Sequence, residues 1–151
     1  MGAIMEFATE KQIESFLSTC HIEEQRNFLM AFKKKTWLKS FIDFFIIGGS
    51  YYVQSSVKPK IIAFTPKGIY LMDISDVTEN RSHQVVEMPW NQVQDFTYQT
   101  ALNAVKLNWN YQNEAYIFSV DVGQISQRMG QYQFNKEHYD YLAQHDFFRS
   151  K

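Results

Sequence analysis

The chain is poor in the features that mark most catalytic, secreted and membrane-spanning proteins. It has a single cysteine, Cys20, in 151 residues. One thiol cannot close an internal disulfide, and the opening Met1-Gly2-Ala3-Ile4-Met5-Glu6 lacks the basic region and apolar run of a signal peptide, so a reducing cytoplasm is the expected setting. Three prolines and six glycines include no Gly/Ser/Pro linker, internal repeat or low-complexity tract that would separate two domains. Neither charge sign dominates: 15 Lys and Arg face 16 Asp and Glu, for a net charge of -1. Phosphate backbones are held by a clustered excess of basic residues, so nucleic acid is not an expected partner.

Long hydrophobic runs are missing too. The most apolar stretch, Phe41-Ile42-Asp43-Phe44-Phe45-Ile46-Ile47, carries an aspartate and stops at Gly48-Gly49, whereas a spanning helix needs about 20 apolar residues. It reads as a buried strand. There is no G-x-S-x-G, H-E-x-x-H, C-x-x-C or dinucleotide fingerprint, and Gly48-Gly49-Ser50 lacks the lysine and spacing of a phosphate loop. The expectation is a protein that is not an enzyme and has no cofactor and no metal.

Aromatics are abundant: 13 Phe, 9 Tyr and 3 Trp make 17% of the chain. Such side chains fill a core, line a groove or meet a partner, and the surplus favours self-association. Their arrangement is that of a sheet. Ile61-Ile62-Ala63-Phe64, the break Thr65-Pro66-Lys67-Gly68, Ile69-Tyr70-Leu71-Met72-Asp73 and Val85-Val86-Glu87-Met88-Pro89-Trp90-Asn91-Gln92-Val93 are short apolar runs punctuated by turn residues. Strands are expected at 44–54, 60–64, 68–74, 84–88, 93–98, 104–109 and 115–120. In the third, Ile69 and Leu71 face one side and Tyr70 and Met72 the other, which predicts cover on both faces.

Helices are expected at both ends. Thr9 with Gln12 suits a capping box, followed by the one-sided stripe Ile13, Phe16, Leu17, Cys20. A second helix is predicted from Glu23 to about Lys39, with acidic residues first, lysines last, and Phe28, Leu29, Phe32 and Trp37 on its buried side. At the other end Asn135 suits an N-cap, before the stripe Phe134, His138, Tyr141, Leu142, His145.

Seven short strands followed by one helix is the order of a pleckstrin-homology (PH) fold, and the chain resembles bacterial PH-like domains of unknown function, the YokE-like kind. Thr65-Pro66-Lys67-Gly68-Ile69-Tyr70-Leu71 looks like that family's Thr-x-x-Gly turn and aromatic-aliphatic strand. Met88-Pro89-Trp90-Asn91-Gln92-Val93-Gln94-Asp95-Phe96 looks like its later strand and following apolar segment. The resemblance covers about residues 44–148. It implies an α+β fold: a PH-like antiparallel seven-stranded half-barrel (residues 43–151) with a C-terminal capping helix. The N-terminal helical hairpin (residues 1–42) lies outside the resemblance and is expected to pack on the barrel as the cover for the sheet's second face. Inositide-binding PH domains carry several Lys and Arg in the first hairpin loop; the loop expected here offers Lys58 and Lys60 and no arginine.

Candidate sites are few. Lys33, Lys34, Lys35 and Lys39, beside Trp37, would suit an anionic membrane surface or an acidic partner, although short charge runs at a helix C-terminus are ordinarily solvated. Trp90, Trp109 and Tyr111, with Tyr98 and Tyr116, would line a groove or interface, or fill the core. His138 and His145 are seven apart, whereas zinc pairs use three- or four-residue spacing plus a further ligand. Cys20 closes an apolar stripe and reads as a small core residue. The functional expectation is a binding module acting through a protein partner or copies of itself, with peripheral membrane association through Lys33–Lys39 as the alternative.

Overall fold

Thr9 starts the first helix as its side chain predicts. In the computed structural model, which describes residues 8–22, 26–33, 59–101, 104–123 and 134–149, the Gln12 amide donates to Thr9 Oγ1 (3.1 Å) and the Thr9 amide to Gln12 Oε1 (2.9 Å). This box opens α1 (Glu10–Thr19), which buries Ile13, Phe16 and Leu17.

The next element departs from expectation. Phe28–Lys33 is a strand, β1, and not part of a helix running from Glu23 to Lys39. The apolar run Phe28-Leu29-Met30-Ala31 is buried on both sides: Leu29 and Ala31 enter one core cluster, Phe28 and Met30 the other. That alternation has period two, and cross-strand pairing overrides the helical preference of Leu, Met, Ala and Lys. The expected helical hairpin is corrected accordingly: α1 leads into a strand. The strand expected at 44–54, and the division expected between residues 42 and 43, lie outside the described residues.

The remaining strands are β2 (Pro59–Phe64), β3 (Gly68–Asp73), β4 (Val86–Pro89), β5 (Val93–Ala101), β6 (Ala104–Tyr111) and β7 (Glu114–Asp121). A short helix, α2 (Ile74–Thr78), follows β3, and α3 (Phe134–Gln144) comes after the sheet. Among the described residues these seven strands join one antiparallel sheet in the order β4-β3-β2-β1-β7-β6-β5. β1 links the two meanders: it pairs with β2 along most of its length (Phe28↔Ala63 to Phe32↔Pro59), and with β7 at Phe32↔Ser119 and Lys33↔Phe118.

Two cores result. The inner one joins Leu29, Ile62, Phe64, Ile69, Met88, Leu107, Trp109 and Phe118 to Leu142 and Phe147 from the C-terminal end. The second lies on the opposite face of β1–β3, where Ile13, Phe16 and Leu17 of α1 and Ile74 and Val77 of α2 cover Met30, Ile61, Ala63 and Met72. Ile69 and Leu71 point to the first core and Met72 to the second, as the pleat requires.

The Thr65-Pro66-Lys67-Gly68 turn is built from its own side chains. Thr65 Oγ1 accepts from the amides of Lys67 (3.0 Å) and Gly68 (3.2 Å). Gly68 is dictated by its neighbour in β4, since a Cβ there would lie 2.2 Å from the Met88 carbonyl oxygen.

Candidate functional site

β7 leaves β1 after two residue pairs, and the rest of that β1 edge is held by α3. Phe28, Met30 and Phe32 present their backbone groups to the same side, because the ladder alternates. Phe32 is paired with β7. At Met30, the side-chain amide of Asn135 takes the place of a strand: Oδ1 accepts from the Met30 amide (2.9 Å), and Nδ2 donates to the carbonyls of Met30 (3.0 Å) and Asp121 (3.1 Å). At Phe28, the carbonyl oxygen lies 2.8 Å from His138 Nδ1. Asn135 is therefore a fully buried residue inside α3 and not its N-cap; its hydrogen bonds run across to the sheet. His138 is also buried, its ring edge-on to Phe28 (4.6 Å) and beside Phe134 (5.1 Å), with Nε2 3.4 Å from Glu10 Oε2. His145 is exposed, with Nδ1 on the Tyr141 carbonyl (2.8 Å). The two histidines share no site, and among the described residues no group of three or more His, Cys, Asp or Glu is placed to hold a metal.

Three of the residues expected at an interaction surface meet, Lys33 over Tyr116 and Tyr116 on Trp109. Lys34, Lys35, Trp37 and Lys39 lie outside the described residues. Lys33, half-buried at the end of β1, sits over the Tyr116 ring (5.3 Å to the centroid) and 3.9 Å from Glu114 Oε1. Tyr116 donates to Glu114 Oε2 (3.1 Å); partial burial first, and the Glu114 carboxylate second, push its phenol above the usual tyrosine range.

Trp109 and Trp90 do not offer a surface, which corrects the expectation for both. Trp109 is fully buried, stacked between Tyr116 (5.5 Å) and Phe118 (5.4 Å), with its indole N–H on Met88 Sδ (3.2 Å). Trp90 is buried against Phe64 and Phe96 and donates to the Thr65 carbonyl (2.7 Å). An indole buried with its N–H satisfied contributes most as core. Tyr111 is half-buried at the end of β6, its hydroxyl accepting from Gln112 Nε2 at 3.3 Å. Cys20 is half-buried, and burial pushes its thiol up, away from the thiolate that nucleophilic chemistry requires.

The surface that sequence reasoning missed is the outer face of α3. Arg26 lies over Tyr141 (5.7 Å), Tyr141 against His145 (4.2 Å) and His145 against Phe148 (5.7 Å). The i, i+4 spacing of Tyr141 and His145 is visible in sequence. Phe148 joins them through a left-handed turn in which Asp146, Phe147 and Phe148 have φ of 50°, 55° and 58°, conformations that glycine or asparagine would ordinarily signal. The same turn drives Phe147 into the inner core. Among the described residues the sheet ends in β4 and β5, and on β4 Val86 is a large apolar side chain left 44% exposed.

Neither a scan against protein-family models nor a search of curated proteins finds a match to this chain. Among the described residues no helix is long and apolar enough to cross a membrane.

Proposed function

We propose that this chain is a cytoplasmic, non-enzymatic PH-like binding module that acts through a protein partner or through copies of itself. The observation that carries the reading is the strand order: two antiparallel meanders joined through β1, with Leu142 and Phe147 from the C-terminal end packed into the inner core. That arrangement supports the reading of a PH-like half-barrel with a capping helix. Such a scaffold leaves its end strands as docking rails, to which an extended segment adds by main-chain hydrogen bonds. β4, with Val86 exposed, is the rail this reading selects.

Light scattering at micromolar concentration and affinity capture, run on wild type and on Val86→Lys, test it. Self-association or a captured protein that the substitution removes supports the reading. A monomer at all concentrations, with the same captured set from both baits, overturns it.

A second reading, peripheral membrane association, is favoured by one observation. β1 ends at Lys33 and β2 begins at Pro59, next to it in the sheet. The sequence between them, 34–58, carries Lys34, Lys35, Trp37, Lys39 and Lys58; these lie outside the described residues, and inositide-binding PH domains carry their basic residues in the first hairpin loop. Sedimentation with anionic vesicles decides: binding that weakens with salt supports it, and equal behaviour with neutral vesicles removes it.

A further inference from the structure

His138 stands between two acceptors. On one side Nδ1 is 2.8 Å from the Phe28 carbonyl oxygen; on the other Nε2 is 3.4 Å from a Glu10 carboxylate oxygen. A neutral imidazole carries one N–H, so when that proton serves the carbonyl the ring turns an Nε2 lone pair toward the carboxylate; the doubly protonated ring sets a positive charge beside it. The carbonyl belongs to β1, the ring to α3 and the carboxylate to the first turn of α1. We propose that this contact is a proton-operated fastening that holds the start of α1 against α3: tight when the ring carries two protons, released when it carries one.

The surroundings favour release at one place only. The Phe28 carbonyl is buried and cannot be left to water, so the single proton of the neutral ring stays on Nδ1. The Glu10 side chain is 49% exposed, so water can replace the ring there. The other charged groups near the ring are engaged elsewhere. From α3, Glu137 pairs with Arg26 (3.6 Å) and Lys136 with Asp140 (2.8 Å). β1 carries no charged side chain before Lys33, and Asp121 contributes its carbonyl, to Asn135. In α1, the other charged residues Lys11 and Glu14 are exposed, and Glu10 reaches the ring. The fastening therefore acts on the first turn of α1, while Ile13, Phe16 and Leu17 stay in the second core.

The test is amide hydrogen exchange in the first turn of α1, at Gln12 and Ile13, in the full chain and in Glu10→Gln, which leaves the Thr9–Gln12 capping box intact. A half-exposed ion pair implies a rate ratio of roughly two- to fivefold between variant and wild type near pH 5.5, falling to about one near pH 8.5. The ratio between proteins at one pH cancels the intrinsic pH dependence of exchange. Ring-nitrogen NMR supplies a second measurement: the Nδ1 proton is present at both pH values, and a proton on Nε2 is present only where the exchange ratio exceeds one. An exchange ratio that is the same at both pH values, or an Nε2 proton whose presence does not follow that ratio, overturns the proposal.

Discussion

Replacing Asn135 should unfasten the sheet from its helix. The side chain is fully buried and makes three hydrogen bonds to backbone groups, two at Met30 and one at Asp121. Asn135→Ala leaves the Met30 amide and carbonyl without partners. At about 1–3 kcal/mol for each buried group stranded, less whatever water recovers, the cost is about 2–5 kcal/mol. A domain of this size is stable by roughly 5–15 kcal/mol, so the variant should fold with a melting temperature lowered by roughly 5–15 °C. Denaturant titration gives the free energy, and exchange of the Met30 amide gives the location. Asn135→Leu separates two explanations, since it restores volume without donors or acceptors. If hydrogen bonding is the cause, leucine is no better than alanine. Recovery of most of the stability by leucine, or an unchanged Met30 amide, would refute the reasoning.

Gly68→Ala places a Cβ 2.2 Å from the Met88 carbonyl oxygen and 2.8 Å from Pro89 Cα, so β4 must shift; denaturant titration should show a loss of about 1–3 kcal/mol or more, whereas Pro66→Ala, on the exposed part of the same turn, should change stability by no more than about 1 kcal/mol. Glu114→Gln removes the carboxylate that raises Tyr116, so ring-carbon NMR should show the phenol titrating lower than in wild type, though still raised by burial. With its folded-state value raised, this phenol contributes stability that is fully present below the ordinary tyrosine range and is lost as pH rises through the folded-state value.

Much of the sheet was legible because its signals are local. Thr65 and Gly68 define a turn by their own chemistry, and Ile69, Tyr70, Leu71 and Met72 alternate between two cores as a pleated strand must. β1 was not legible. A strand buried on both faces loses the polar alternation that marks strands, and Phe28-Leu29-Met30-Ala31 is then a run of good helix formers flanked by charges of helical order. Its partners, Ile61, Ser119 and Asn135, are remote in sequence. Asn135 was misassigned for a related reason: asparagine favours helix starts in general, and nothing local reveals a strand edge waiting across the core.

The candidate surfaces divide in the same way. Trp90 and Trp109 were singled out as aromatic, but aromaticity does not say which side of a sheet a residue takes, and both point inward. The row Arg26, Tyr141, His145, Phe148 depends on three left-handed residues with no glycine among them. Correcting β1 also removes the helix whose end was expected to carry Lys33; Lys34, Lys35 and Lys39 lie outside the described residues.

The strand order depends most heavily on residues 28–33 lying between β2 and β7, and the proposed function is built on that strand. Backbone NMR measures this directly. Cross-strand contacts of Met30 with Ile61 and of Phe32 with Ser119, together with extended-chain couplings over 28–33, are the predicted result. Sequential amide contacts and helical shifts over the same residues, with no contact to Ser119, would contradict it.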